Sequence, residues 1–146
     1  MLTNRFMPSC TVIPVAPYPD LEQAIGWLCD AFGFTLRLRI GNHRAQMNVG
    51  DGAVVLTQSL AADGRLSHSI MVRVEDVDLH YARAAVYGAA VLCPPADYPY
   101  GERQYTVADC AGNCWTFSQT LEDVAPEEWG GTAGAPRRRA TSGVNR

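Results

Sequence analysis

The chain contains no lysine; all twelve of its basic residues are arginine. That absence excludes mechanisms that run through a lysine Schiff base. No apolar run approaches the ~20 residues that a helix needs to cross a bilayer. The opening MLTNRFMPSC lacks the basic stretch and apolar core of a secretion signal. Together these absences predict a cytoplasmic protein with no membrane partner. The cysteines, at positions 10, 29, 93, 110 and 114, are odd in number and fit reduced thiols better than a disulfide framework. Cys29 reads as packing on a helix. Cys110 and Cys114 lack the second pair or nearby His of a zinc site, although they flank a turn and can pair under oxidation. Charge is also scarce. Four of the twelve arginines lie at or after Arg137, which leaves eight against fifteen acids in the body. An acidic body argues against nucleic acid as a partner.

What is present is the same message stated twice, at about 10–59 and 67–120. The first copy opens with the apolar run CTVIPVAP and enters a helix in DLEQAIGWLCDAFGF, with Leu21, Ala24, Ile25, Leu28 and Phe32 at helical spacing. Asp20 suits the N-cap and Gly33 the stop. The second opens with SHSIMVRV, where Ile70, Val72 and Val74 alternate. It continues into a helix with Val77, Tyr81, Ala84 and Ala85 on one stripe, capped by Asp76 and stopped by Gly88. After each helix come three strand-like stretches: TLRLRI, RAQMNV and AVVLTQ, then AVLCPP, RQYTVA and CWTFSQ. Each last pair is joined by a glycine turn. The expectation is an α+β domain over 1–130: two βαβββ modules forming a cupped mixed sheet, with helices on its outer face and an inner face free to hold a ligand. The tail over 131–146, rich in Gly, Ala, Pro and Arg, reads as disordered.

Four segments, PDLEQAIGWLCDAFGF, MNVGDGAVVL, HSIMVRVEDVDLHYARAAVYGA and YGERQYTVADCAGNCWTFSQ, resemble the vicinal oxygen chelate superfamily of glyoxalases, bleomycin-resistance proteins and extradiol dioxygenases. The most specific stretch is Asp109 to Trp115, which is similar to the Asp-Pro-x-Gly-His-x-Trp ending of the bleomycin-resistance type. Here Cys110 and Asn113 replace the Pro and His. The resemblance implies metal ligands on the first and last strands of each module. Those positions fall on Ile13, on Val55, Leu56 or Thr57, on Ser69, and on Thr116, with His68 one residue out of register and so directed to the opposite face. None of the four can hold Ni, Zn, Fe or Mn, which take imidazole, thiolate or carboxylate. The resemblance therefore implies the metal-free, cofactor-free branch, whose members bind small molecules such as glycopeptide and mitomycin-like antibiotics. It also implies a homodimer. A metal-dependent lyase, isomerase or dioxygenase is the alternative, and an interaction module working through the Arg tail is a third reading.

If Trp115 and Phe117 pack under the helices, strand alternation turns Ile13, Val15, Ser69, Met71, Arg73, Cys114, Thr116 and Ser118 toward the cavity, with Arg37, Arg39, Gln46, Asn48 and Gln104 on neighbouring strands. From this set, Ile13, Arg39, Gln46, Asn48, Ser69, Met71, Arg73 and Thr116 are the ligand-binding candidates. A guanidinium there binds a carboxylate or stacks on a ring, and equally suits an open, solvated sheet face. Tyr100 and Arg103 join the candidates from the loop PPADYPYGERQY, which also carries Tyr98 and Tyr105 and suits a planar ligand or a packed subunit contact. His80 reads as a surface residue and His43 as a turn residue. No Ser/His/Asp or Cys/His set can be assembled from spacing, and Glu102 is the only acid nominated as a general base.

Overall fold

The computed structural model describes residues 4–5, 7–59 and 69–132. His68 and the Arg triplet of the tail lie outside the described residues. The first module runs β1 (Val15–Tyr18), α1 (Leu21–Trp27), a π-helical turn (Leu28–Phe32), β2 (Thr35–Ile40), β3 (Arg44–Val49) and β4 (Gly52–Gln58). The second runs β5 (Ser69–Arg73), α2 (Val77–Val86), β6 (Ala90–Tyr98), β7 (Glu102–Ala108) and β8 (Cys114–Thr120), followed by a 3-10 turn at Pro126–Trp129. Each module forms a four-stranded mixed sheet, in the orders β1-β4-β3-β2 and β5-β8-β7-β6. In each, the first strand is parallel to the last and the remaining pairs are antiparallel. The expected pair of βαβββ modules is therefore present.

The duplication extends to single atoms. Asp20 and Asp76 cap their helices by accepting from the backbone N–H of Gln23 and Leu79. Gln58 ends β4 and accepts from the N–H of Leu21; Gln119, near the end of β8, accepts from that of Val77. Two otherwise orphaned donors at each helix start are thus satisfied in the same way. Gly33 and Gly88, at φ of 78° and 80°, occupy the left-handed conformation that ends each helix.

The helix-bearing faces of both sheets close on one core. Phe32, at the end of the π-helical turn, packs edge-on against Trp115 and Phe117 of β8, with ring centroids 5.7 and 4.9 Å apart. Arg83 of α2 donates to the carbonyls of Cys29 and Asp30 in that turn. Asp109 is the polar centre of the same region: its carboxylate accepts from Tyr18, from the indole N–H of Trp115, and from the backbone N–H groups of Ala111 and Asn113. The Asn113 amide donates to the carbonyl of Pro17. Asp, Asn and Trp in Asp109–Trp115 thus tie the second module to the first.

Three expectations need correction. His80 is no surface residue. Its ring lies 3.9 Å from Phe117, its Nδ1 is 2.6 Å from the Tyr105 hydroxyl and its Nε2 is 3.3 Å from the Phe32 carbonyl. Burial lowers its pKa to about 4. The Pro-Tyr loop is strand up to Tyr98, where Ala96, Asp97 and Tyr98 pair with Gln104, Arg103 and Glu102. Prolines are tolerated there because β6 is a sheet edge. The opening apolar run is strand only from Val15, so Ile13 lies before β1 rather than on it.

Candidate functional site

Register decides which side chains share a face, because residues paired across strands point the same way. In the second sheet Ser69, Met71 and Arg73 pair with Cys114, Thr116 and Ser118, and these three pair with Ala108, Thr106 and Gln104. The alternate residues Ile70, Val72, Trp115 and Phe117 belong to the core or pack against it. Ser69, Met71, Arg73 and Thr116 therefore stand together on the open face, where the sequence places them. In the first sheet Gln46 and Asn48 pair with Val55 and Ala53 on the face away from the core, but Gln46, Val55 and Ala53 are buried there, and of the two candidates only Asn48 is partly exposed.

Two candidates are elsewhere. Arg39 pairs with Ala45, a core residue, and its Nη2 lies 2.6 Å from Glu22 of α1. The reason is a bulge: Leu36 pairs with Met47 and Leu38 with Gln46, so Arg37 is an extra residue and the alternation after it is inverted. Arg37 takes the open-face place, where it donates to Gln46 and to the carbonyls of Arg5 and Met7. Arg103 also lies on the helix side, bonded to Asp78 and Asp97. Its neighbour Gln104 holds the open-face position instead.

Around the open-face end of the second sheet is a cleft of about 850 Å³. Tyr100 reaches it from the turn after β6, with its ring stacked on Tyr98 at 5.5 Å and met edge-on by Trp129 at 5.4 Å. Inside, the Tyr100 hydroxyl donates to Gln104 Oε1 at 3.3 Å, Gln104 Nε2 donates to Ser118 Oγ at 3.0 Å, and Ser118 donates to Glu102 Oε1 at 2.6 Å. The bond from Ser118 lowers the Glu102 pKa. That makes Glu102 an anion and a weak base, contrary to a general-base role. Two smaller cavities, about 340 and 270 Å³, lie along the seam between β1 and β5, where Val12, Pro14 and Ile70 line both. Sequence reasoning did not single out Asp51, Glu75, Glu122 or Asp123, which also line the large cleft. Nor did it single out Trp129, whose PEEWG setting, with a Pro at the start and a Gly stop, signals a short helical turn.

The metal question can be tested on these positions. Thr116 faces Met71 across the β5–β8 pair, and Val55 faces Val15 across the equivalent β1–β4 pair, so of the three alternatives on β4 it is Val55 that matches Thr116. Ile13, Val55, Ser69 and Thr116 supply no imidazole, thiolate or carboxylate, and do not fit a catalytic metal. Among the described residues no group of three His, Cys, Asp or Glu is placed to hold one. The five cysteines are unpaired, and burial raises the thiol pKa of Cys110 to about 11 and that of Cys114 above its ordinary value.

The family profile of the glyoxalase/bleomycin resistance protein/dioxygenase superfamily matches residues 11–117. The chain belongs to this superfamily. Among solved structures, this superfamily member is similar to TioX from Micromonospora sp. ML1, with 32% identity over 80% of this chain and 100% of that one and a TM-score of 0.65. It is also similar to TnmS3, an antibiotic binding protein from Streptomyces sp. CB03234, at 29% identity, 74% and 93% coverage and a TM-score of 0.62. Lactoylglutathione lyase from Agrobacterium tumefaciens shares the fold at 20% identity, covering 77% of this chain and 94% of that one, with a TM-score of 0.60. No curated protein matches the chain.

Proposed function

We propose that this superfamily member binds and sequesters a small aromatic, antibiotic-like molecule on the open face of its second sheet, without a metal and without turning it over. The observation that carries the reading is the chemistry of that face. Met71 is 62% exposed and lies beside the hydroxyl pair Thr106 and Thr116, which are bonded to each other at 3.0 Å, and beside Ser69 and Arg73. An apolar surface with a few fixed hydrogen-bonding groups suits an aromatic ligand. Tyr100 extends it toward the large cleft, and Asn48 holds the equivalent place on the first sheet, where Gln46 is buried. The similarity to TnmS3, which binds an antibiotic, supports the same ligand class.

The reading includes a homodimer in the cytoplasm. Among the described residues the exposed apolar Val12 and Val15 form an uncovered patch at the start of β1 that favours a partner. Calorimetric titration with bleomycin and mitomycin C, with and without EDTA, tests the reading; light scattering gives the mass in solution. Saturable binding that survives chelation, with the ligand recovered unchanged, is the expected result. Stoichiometric metal retained through purification, or product in the recovered ligand, would replace it with the lyase or dioxygenase alternative.

A further inference from the structure

The hydrogen-bond chain in the large cleft has a fixed direction. A carboxylate only accepts, so Ser118 must donate to Glu102. Ser118 then accepts from the amide nitrogen of Gln104, whose amide oxygen is left to accept from Tyr100. Ser118, at 4% exposure, is the buried pivot of this relay. The Tyr100 proton is consumed inward, so what its oxygen and Glu102 present to the cleft are acceptor lone pairs. The relay holds the Glu102 carboxylate in place, and among the described residues Arg73 nearby is the one base lining the cleft. Asp51, from the turn between β3 and β4, joins Glu75, Glu122 and Asp123 on the same walls. Among the described residues none of these four, nor Glu102, forms an ion pair. Tyr100 adds an aromatic face at the same place.

We infer that the ligand bound here carries a protonated amine beside its aromatic ring, with the amine donating to Glu102 and to the Tyr100 oxygen and the ring lying against Tyr100. This rests on the proposed binding function and deepens it by naming the charge of the ligand. The relay supplies the acceptors, and the acids beyond it supply the field that draws a cation in. A neutral aromatic gives Glu102 no charge-assisted partner, and an anion is repelled by the five carboxylates that, among the described residues, line the cleft with one guanidinium.

The test uses daunorubicin, an aromatic antibiotic with an amino sugar, and its neutral N-acetyl derivative, titrated by fluorescence against the full-length protein. Daunorubicin is expected to bind about tenfold more tightly than the N-acetyl form, the ordinary scale of a charge-assisted hydrogen bond. Glu102→Gln removes that preference with the circular dichroism spectrum unchanged. Ser118→Ala, which frees Glu102 from its pivot, reduces it. Equal affinities for the two forms, or a preference that survives Glu102→Gln, overturn the inference and leave the binding function standing. If neither compound binds at millimolar concentration while mitomycin C, which carries no ammonium at neutral pH, does, the cation requirement is likewise overturned and the broader reading stands. If none of these three binds, nor bleomycin, both fall together.

Discussion

The Tyr18 hydroxyl donates a 2.6 Å hydrogen bond to Oδ2 of Asp109, 91 residues away in the chain, and the Trp115 indole donates to the same oxygen at 2.9 Å. Burial and the Asp109 charge push the Tyr18 phenol well above its ordinary pKa, so it stays a donor at any working pH. One buried carboxylate thus joins the first strand of one module to the closing turn of the other.

Tyr18→Phe removes one of four donors to that carboxylate and is expected to cost about 1–3 kcal/mol. Asp109→Ala strands two buried side-chain donors and two backbone N–H groups and is expected to cost more, about 3–5 kcal/mol. Urea unfolding of both variants and of the double variant measures this. Additive effects in the double variant would contradict a direct coupling.

His80 makes stability depend on pH. Its folded pKa of about 4 lies below the ordinary 6.5, so between these values the unfolded chain binds more protons than the folded one. The stabilising contribution of neutral His80 is complete above about pH 6.5. It declines as the pH falls toward 4, by up to about 1.4 kcal/mol per pH unit. Denaturant midpoints at pH 4.5 and 7.0 should differ for the natural protein and converge in His80→Gln; an unchanged slope in the variant assigns the effect to another group.

Gly101 lies at φ 84°, and a Cβ there would collide with the Glu122 carbonyl oxygen. The Gly101 carbonyl accepts from the N–H groups of Leu121 and Glu122, which tethers the segment that ends in Trp129. Gly101→Ala is expected to destabilise this tether by at least about 1–2 kcal/mol, the cost of a left-handed alanine alone. Trp129 should then leave Tyr100, visible as a red shift in tryptophan emission; an unshifted spectrum argues that the segment is held elsewhere.

The helix-side arginines should be silent in binding. Arg39→Ala and Arg103→Ala are expected to leave the affinity for an aromatic probe within about twofold, whereas Met71→Ala on the open face weakens it about tenfold. Parallel titrations of the three variants decide, and a large loss in Arg39→Ala would mean that the ligand lies on the helix side.

Much of this architecture was legible in the chain because its determinants are local. Asp20 and Asp76 cap helices, Gly33 and Gly88 stop them, and the alternation of Ile70, Val72, Trp115 and Phe117 identifies the core face of the second sheet; each is a matter of a few neighbouring residues and one backbone period. The face of Ser69, Met71, Arg73 and Thr116 follows from the same alternation. Arg39 could not be placed that way, since a single extra residue in β2 inverts the parity and a bulge depends on the partner strand. The side of Arg103 was set by pairing that extends β6 through Tyr98, where two prolines suggest a loop. His80 reads as exposed on its helix alone; Phe117 and Tyr105 from the sheet beneath and the Phe32 carbonyl from the other module enclose it. The sequence by itself therefore determined the elements, their duplication and the side each regular strand turns inward. The tertiary structure decided what long-range packing controls: the Asp109 junction, the neutral His80, and the meeting of Asp51 with Glu102 in one cleft, since these need segments far apart in the chain to converge.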